Sequence, residues 1–298
     1  MNDPIIAGID GSASSVHAVE AAAREAHWRK TDLHLVHGLL RPALPRPGPP
    51  DGILHATAER LTAEAEDRAR AMAPQVNITS AVVTGKPADV LTAQSYTAQL
   101  MVIGSRGLGS VAGLMAGSTA LHLAAHSACP TLVVRNAGDP TGPVLLAVDG
   151  SPAGTGAIDF AFTEAALRGA DLLALHAFTP WNAPMPPPPD KAMPYAGAKG
   201  ALAEREACLL AEAIAGQQAI HPDVNVVRKT VHGATREALT DASRTAQLLV
   251  VGARGHGSLT GLLLGSVSQA MLHHAHCPVA VVRAPTHPPS TAPAAATS

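Results

Sequence analysis

The feature that most constrains this chain is an internal repeat, because three segments of its first half return in its second half. The pairs are IIAGIDGS (5–12) with VLLAVDGS (144–151), LHLVH (33–37) with LLALH (172–176), and TLVVR (131–135) with VAVVR (279–283). The distance along the chain between each segment and its repeat is far longer than the roughly 20–50 residues of a solenoid repeat. The chain of 298 residues is long enough for two ordinary domains. We therefore predict two copies of one domain, residues 1–137 and 143–284, and a disordered tail at 285–298 that is rich in Pro, Ala and Thr.

Each copy alternates short apolar runs with longer Ala-rich stretches. In the first copy the apolar runs predict strands near residues 4–9, 33–38, 76–84, 99–104 and 130–135. The stretches between them predict helices near residues 13–29, 53–73, 87–96 and 113–127. Strands that are apolar along their whole length and separated by helices indicate a parallel sheet covered on both faces. The predicted fold class is α/β, with two tandem doubly wound domains.

A glycine-rich window is the most specific motif within the repeat. GSRGLGSVAGLMAGS at residues 104–118 and GARGHGSLTGLLLGS at 252–266 align without a gap and agree at nine of fifteen positions. Each window follows an apolar run, so it is interpreted as a strand end, a glycine-rich loop and a helix start. Glycine lets backbone N–H groups approach a ligand, and the helix N-terminus adds unpaired N–H groups and a positive dipole end. The pattern indicates a phosphate site, although a glycine-rich turn without a ligand is the alternative.

An aspartate ends the first strand of each copy, at Asp10 and Asp149. Ligands of open α/β sheets bind beyond the carboxyl ends of the strands, so each aspartate is expected beside the glycine-rich loop of its own copy. A carboxylate repels phosphate, and it would instead accept hydrogen bonds from a ribose hydroxyl or an adenine amino group. The alternative is an N-cap, because Asp-Gly-Ser before a helix is a common capping arrangement. The two roles are compatible.

No motif in the chain demands catalysis. Residues 85–87 (GKP) lack the other elements of a Walker A loop, and no Ser–His–Asp order or nucleophile lies near the glycine-rich loops. The histidine groups at 273–276 and at His122 and His126 could suggest a metal, but histidines late in a helix also complement its dipole. We favour the structural role and predict no metal site.

Charge and cysteine usage limit the partners and the compartment. The formal net charge is −2 without a long basic run, which argues against nucleic-acid binding. The sequence contains no uninterrupted apolar stretch of membrane-spanning length and no signal-peptide pattern at its start. Three cysteines without a CxxC motif are typical of a reducing compartment. We predict a cytoplasmic protein in which Cys129 and Cys277 are small buried hydrophobes.

The Asp-Gly-Ser start, the strand that ends in histidine and the G-x2-G-x9-G-[ST] loop together resemble the universal stress protein family, in its tandem-domain form. The resemblance covers residues 4–135 and 143–283. It implies a five-stranded parallel sheet of order 3-2-1-4-5 in each domain. Members with this intact loop bind ATP, so ATP, with Mg²⁺, is the expected ligand.

The resemblance also implies which residues hold the nucleotide. Those expected at adenine or its ribose are Gly8, Ile9, Asp10, Ala147, Val148 and Asp149, with Gly38 and Ala177 lining the adenine pocket. Those expected around ribose and phosphates are Gly104, Ser105, Arg106, Gly107, Leu108, Gly109, Ser110, Gly252, Ala253, Arg254, Gly255, His256, Gly257 and Ser258. Those expected at the β- and γ-phosphates are Gly117, Ser118, Thr119, Gly265, Ser266 and Val267. The substitutions between the copies make unequal affinities plausible.

Members of the family pair their domains through the last strand, here residues 131–134 against 279–282. The resemblance implies an intramolecular pseudo-dimer and a further homodimer through terminal strands. The leading hypothesis is an ATP-binding regulatory protein of a stress response, with one nucleotide per domain and no evident catalytic group. The alternatives are a weak ATP hydrolase or nucleotidyl-transferring enzyme, and a dimerisation scaffold that ignores nucleotide.

Overall fold

The computed structural model describes residues 3–40, 51–107, 116–135, 138–179, 198–255 and 263–283. The first half contains β1 (Ile5–Gly8), α1 (Ala13–Arg29), β2 (Leu33–Leu39), α2 (Asp51–Met72), β3 (Ile78–Thr84), α3 (Pro87–Gln94), β4 (Leu100–Gly104), α4 (Ser118–His126) and β5 (Thr131–Val134). The second half contains β6 (Val144–Ala147), α5 (Thr155–Arg168), β7 (Leu172–Phe178), α6 (Ala198–Ile220), β8 (Val226–His232), α7 (Thr235–Ala242), β9 (Leu248–Gly252), α8 (Ser266–His274) and β10 (Val279–Val282). The predicted tail at 285–298 lies outside the described residues.

The two halves have the same sheet topology. The strands follow the order β3-β2-β1-β4-β5 in the first half and β8-β7-β6-β9-β10 in the second, and all pairs within a half are parallel. One face of the combined sheet packs against α1, α2, α5 and α6, and the other packs against α3, α4, α7 and α8. Alternate residues of each inner strand enter the two cores, which is why these strands are apolar throughout. The predicted fold class and strand order are confirmed.

The two halves form one continuous ten-stranded sheet, because β5 and β10 pair antiparallel. Val133 lies opposite Val279, and Thr131 lies opposite Val281. The predicted pairing of the last strands within the chain is confirmed. Each of these strands is flanked on both sides, by β4 and β10 or by β9 and β5. The homodimer through terminal strands stays a prediction, and a second chain would have to use another surface, such as the outer strands β3 and β8.

The helix that follows the first glycine-rich loop begins later than predicted. The predicted helix at 113–127 is wrong at residues 116 and 117, because α4 begins at Ser118 and Gly117 is its N-cap, with φ −73° and ψ 156°. Gly265 caps α8 with the same dihedrals. The Gly117 N–H donates to the Ser105 carbonyl at 2.7 Å, so this residue belongs to the loop. Both Gly-Ser pairs therefore stand at a helix N-terminus rather than inside a helix.

A buried ion cluster joins α1 and α5 beneath the junction of the two halves. Glu25 and Glu164 are each 1% exposed, and Arg29 and Arg168 each contact both carboxylates. Arg168 NH2 lies 2.8 Å from Glu164 Oε2, and Arg29 Nε lies 3.3 Å from Glu25 Oε2. Burial, and then the neighbouring Glu164, raise the pKa of Glu25 to about 7, against the opposing effect of the two arginines. Glu25 corresponds to Glu164 and Arg29 to Arg168 in the repeat. The cluster therefore has the same pseudo-twofold symmetry as the antiparallel pair of β5 and β10.

Both cysteines at matching positions are buried, as predicted: Cys129 is 7% exposed and Cys277 is fully buried. Burial raises the pKa of the Cys277 thiol to about 12. Cys208 is exposed. Within the described ranges, no helix combines the length and apolar character that crossing a membrane requires.

Candidate functional site

In each half the candidate site lies where the strand order reverses. β1 has β2 on one side and β4 on the other, and β6 has β7 and β9 in the same way. The chain therefore leaves β1 and β4 on opposite faces and opens a crevice beyond their carboxyl ends. Asp10 follows β1 and the glycine-rich loop follows β4, so both elements meet at this crevice.

The aspartate and the loop are in direct contact in both halves. A Cβ added to Gly107 would lie 2.5 Å from Asp10 Oδ2, and one added to Gly255 would lie 2.2 Å from Asp149 Oδ2. A side chain at either position would have to displace the carboxylate, so glycine permits this close contact. The expectation that each aspartate lies beside its own loop is confirmed, and the contact explains the second glycine of the motif.

The other oxygen of each aspartate fixes a turn. Asp10 Oδ1 accepts the Ser12 N–H at 3.0 Å, and Asp149 Oδ1 accepts the Ser151 N–H at 2.9 Å. The N-cap of α1 is Ser12, whose hydroxyl accepts the Ser15 N–H at 3.2 Å. The suggestion that Asp10 is the N-cap is therefore wrong, because the aspartate stands two residues earlier and closes an Asx turn. This turn orients the carboxylate with one oxygen toward the loop.

The start of each loop is bonded to the last strand of the same half, and the end of the loop is bonded to its start. Ser105 N donates to the Val134 carbonyl at 2.8 Å, and Gly117 N donates to the Ser105 carbonyl at 2.7 Å. The second half repeats this arrangement: Ala253 N donates to Val282, and Gly265 N to Ala253, both at 2.7 Å. The first turns of α4 and α8 are thus held against the loop starts. Because both N-caps are glycines, no N-cap side chain competes for the first-turn N–H groups.

Different hydroxyl groups stabilise the two loops. In the first half the Arg106 carbonyl accepts the Ser12 hydroxyl at 3.0 Å and also the Ser14 hydroxyl, and Arg106 N donates to Ser14 Oγ at 3.2 Å. In the second half Ala153 stands at the position of Ser14. There the Ser268 hydroxyl on α8 donates to the Gly252 carbonyl at 2.6 Å. The two sites share a backbone but are tied together by different side chains.

Each loop lies near two guanidinium groups. Arg106 and Arg254, within the loops, are exposed, so they can reach a ligand. Burial and the positive charge of Arg106 lower the pKa of Arg135, and burial and the positive charge of Arg254 lower the pKa of Arg283 in the same way. The sequence marked Arg135 and Arg283 as part of the repeat but did not place them at the site. The signal was their recurrence at the carboxyl end of the last strand, next to the loop.

Several predicted adenine-pocket residues have a packing role in the structure. A Cβ on Gly8 would lie 2.7 Å from Leu91 Cδ1, and one on Gly38 would lie 2.7 Å from the Cα of Pro87. Both glycines thus let α3 approach the sheet, and Ala147 and Ala177 stand in their places in the second half. Their contact with adenine stays a prediction.

The side chains of Ile9 and Val148 are each 6% exposed, in the core. They can therefore offer a ligand mainly their backbone. At the other end of each site, Ser118 and Ser266 are exposed and Thr119 and Val267 are half-buried, all in a helix first turn. Six predicted loop residues lie outside the described ranges: Leu108, Gly109, Ser110, His256, Gly257 and Ser258.

The histidine near the end of the second strand differs in its surroundings between the halves. His37 Nδ1 lies 2.9 Å from the Ile9 carbonyl, and His176 Nδ1 lies 2.7 Å from the Val148 carbonyl. A carbonyl only accepts, so Nδ1 is the protonated nitrogen in both. In the second half only, His176 Nε2 also lies 2.7 Å from Oε2 of Glu206, which is 2% exposed.

Leu61 contacts Gly11 in the first half as Leu209 contacts Gly150 in the second, and this match aligns α2 with α6. In that alignment the buried Ala58 stands at the position of Glu206. The sequence did not predict this pair, since its members lie 30 positions apart on different elements. No group of three or more His, Cys, Asp or Glu side chains within the described ranges is arranged to hold a metal ion.

The contact between Asp10 and the loop predicts a specific steric cost. Gly107→Ala should lower the free energy of unfolding by about 1–3 kcal/mol, because the new methyl group overlaps the carboxylate. The cost should be smaller when Gly107→Ala is combined with Asp10→Ala. Denaturant unfolding of the wild type, the two single variants and the double variant measures the energetic coupling between the two positions. Gly117→Ala is the matched control, since its Cβ would lie 3.4 Å from the nearest atom. Strict additivity of the two changes would contradict the contact.

The buried His176–Glu206 pair predicts a second asymmetry. Glu206→Ala reproduces the first half at this position but leaves His176 Nε2 buried without its partner. We expect the free energy of unfolding to fall by about 1–3 kcal/mol. Glu206→Gln should cost less, because the amide group can still form a hydrogen bond with the same nitrogen, as donor or as acceptor. Equal costs for the two variants in denaturant unfolding would show that the hydrogen bond does not stabilise the fold.

Comparison with known proteins agrees with this architecture. The sequence pattern of the Universal stress protein family matches residues 1–135 and 141–283. A universal stress protein of Mycolicibacterium smegmatis is 35% identical over 295 residues, which cover 94% of this chain and 96% of that protein. A universal stress protein of Mycobacterium tuberculosis is 35% identical over 297 residues, with the same coverage.

Among solved structures, the crystal structure of a universal stress protein from Archaeoglobus fulgidus covers 95% of this chain and 99% of its own, with a TM-score of 0.67 and 19% identity. This similarity concerns the fold. The family pattern covers both halves, and the mycobacterial relatives are similar over nearly their whole length. The chain belongs to the universal stress protein family, with two family domains in tandem.

Proposed function

We propose that this universal stress protein binds one ATP, with its Mg²⁺, in each half, and that the bound state regulates a stress response without requiring turnover. The observation that supports this most strongly is the duplicated contact between the aspartate and a closed glycine-rich loop. In both halves a Cβ on the second glycine of the loop would overlap the aspartate carboxylate. Two halves that differ at most positions have kept this arrangement of backbone and charge.

The loop end of each site suits the phosphates. Gly117 and Gly265 are N-caps without a capping side chain, so the first-turn N–H groups of α4 and α8 can donate to an anion. Arg106 and Arg254 are exposed and add a guanidinium that can bind phosphate oxygens bidentately. Each helix dipole places further positive potential at the same point.

The aspartate end of each site suits the nucleoside. Asp10 and Asp149 carry negative charge beside the loop start, where a phosphate would be repelled and a ribose hydroxyl could donate. Because Oδ1 already holds the turn to Ser12 or Ser151, the carboxylate is oriented before a ligand arrives. The nucleotide would therefore lie with its ribose near the first strand and its triphosphate along the loop.

The two sites should differ in affinity. The first loop is tied through Ser12 and Ser14, whereas the second is tied through Ser268. Thr119 offers a hydroxyl in the first turn of α4, and Val267 offers none in the first turn of α8. We expect the first site to bind more tightly, because the hydroxyl group of Thr119 can donate to a phosphate and Val267 cannot.

Gly117→Glu and Gly265→Glu, made singly and together, test the proposal. Gly117 has dihedrals that any residue adopts, and a Cβ would lie 3.4 Å from the Ser105 carbonyl oxygen, so the backbone accommodates the change. The new carboxylate would occupy the phosphate position and repel it. Each single variant should retain one ATP per chain and the double variant none, as measured by equilibrium dialysis with labelled ATP.

Gly216→Glu is the control, because it adds the same charge at a position on α6 where no atom lies within 4 Å of the new Cβ. It should bind two ATP per chain. Undiminished binding by the double variant would contradict the site. Steady ADP release by the wild type, well above that of the double variant, would instead support the ATP hydrolase alternative.

A further inference from the structure

One arginine of the first half reaches into the second half. Arg135, directly after β5, donates from its NH1 nitrogen to the Leu272 carbonyl at 3.3 Å and to the His273 carbonyl. Both carbonyls belong to the last turn of α8. This contact crosses the junction between the halves, next to the β5–β10 pairing.

The helix that receives Arg135 is the one whose first turn belongs to the second site. α8 has nine residues, from Ser266 to His274, and would be about 14 Å long. The carbonyls of its last turn have no partner further along the helix and carry the negative end of the dipole. A guanidinium there satisfies these groups and holds the helix in place. Its opposite end, at Gly265 and Ser266, contains the N–H groups proposed to bind phosphate.

Among the described residues, no equivalent contact joins an arginine of the second half to α4 of the first half. Arg283 is the counterpart of Arg135, yet its NH1 nitrogen is buried without a hydrogen-bond partner among them. By symmetry it would meet the carbonyls of Ala124 and Ala125 in α4. Its titratable neighbours are Arg254 in its own half and Tyr96, which follows α3 in the first half. The pseudo-twofold symmetry that governs the strands is therefore broken at these two arginines.

We propose that Arg135 is a positioning residue for the second nucleotide site, acting through α8. It secures the carboxyl end of α8, and this fixes the first-turn N–H groups at the other end against the second loop. The inference rests on the proposed function, since it concerns the same site. Under this proposal the two halves have different roles. The first half holds part of the second site in place, and the second half does not hold the first site in the same way.

The test compares effects that cross the junction. In the Gly117→Glu background only the second site is open, and there Arg135→Gln should weaken ATP binding about tenfold. In the Gly265→Glu background only the first site is open, and there the matched change Arg283→Gln should leave ATP affinity unchanged. Arg135→Lys should restore part of the second-site affinity, because an ammonium can still donate to one carbonyl. Circular dichroism shows whether each variant is folded.

Amide hydrogen exchange provides a readout that needs no nucleotide. Arg135→Gln should accelerate exchange in α8, and Arg283→Gln should leave α4 unchanged. Unchanged exchange in α8, or an unchanged second-site affinity, would overturn the positioning role. If the wild type binds no ATP, the proposed function is refuted, and with it any role for Arg135 in nucleotide binding. Accelerated exchange in Arg135→Gln would then show only that Arg135 stabilises α8.

Discussion

The antiparallel pairing of β5 with β10 is the interaction on which the rest of the arrangement depends. It joins two five-stranded sheets into one and relates the halves by a pseudo-twofold axis. Beneath it, the same symmetry brings Glu25 and Glu164 together between two arginines, where burial would be costly without opposite charges. Beside it, Arg135 comes within reach of α8. The junction thus determines which groups of one half can act on the other.

Within each half the site is built mainly from backbone, and this explains how two copies with different side chains keep one geometry. The loop is closed by N–H···O bonds between Gly117 and Ser105 or Gly265 and Ala253. At the centre of both described sites an aspartate lies against the second glycine of the loop, where a side chain would have to displace the carboxylate. The surrounding side chains are free to change, as Ser14 and Ser268 illustrate, and such changes can alter affinity without altering the fold.

The sequence predicted the features that depend on local pattern. The apolar runs and the repeat spacing placed the strands, and Asp10 beside its loop followed from the rule that parallel strands end at one edge. The predicted start of α4 was wrong because the apolar residues before Gly117 continue a helix-like pattern, whereas the structure has a turn there that is fixed by a hydrogen bond to Ser105. The Glu206–His176 pair and the Arg135 contact could not be predicted, because no periodicity signals a side chain that meets a distant element.

A calorimetric titration of the nucleotide-stripped protein with Mg·ATP tests the claim that both halves bind ATP. We expect saturation near two nucleotides per chain, with the two sites differing in affinity. Saturation near one would mean that one half has kept the loop geometry without the ligand. The absence of both heat and thermal stabilisation would contradict the claim and favour a protein that uses its paired sheets as a scaffold.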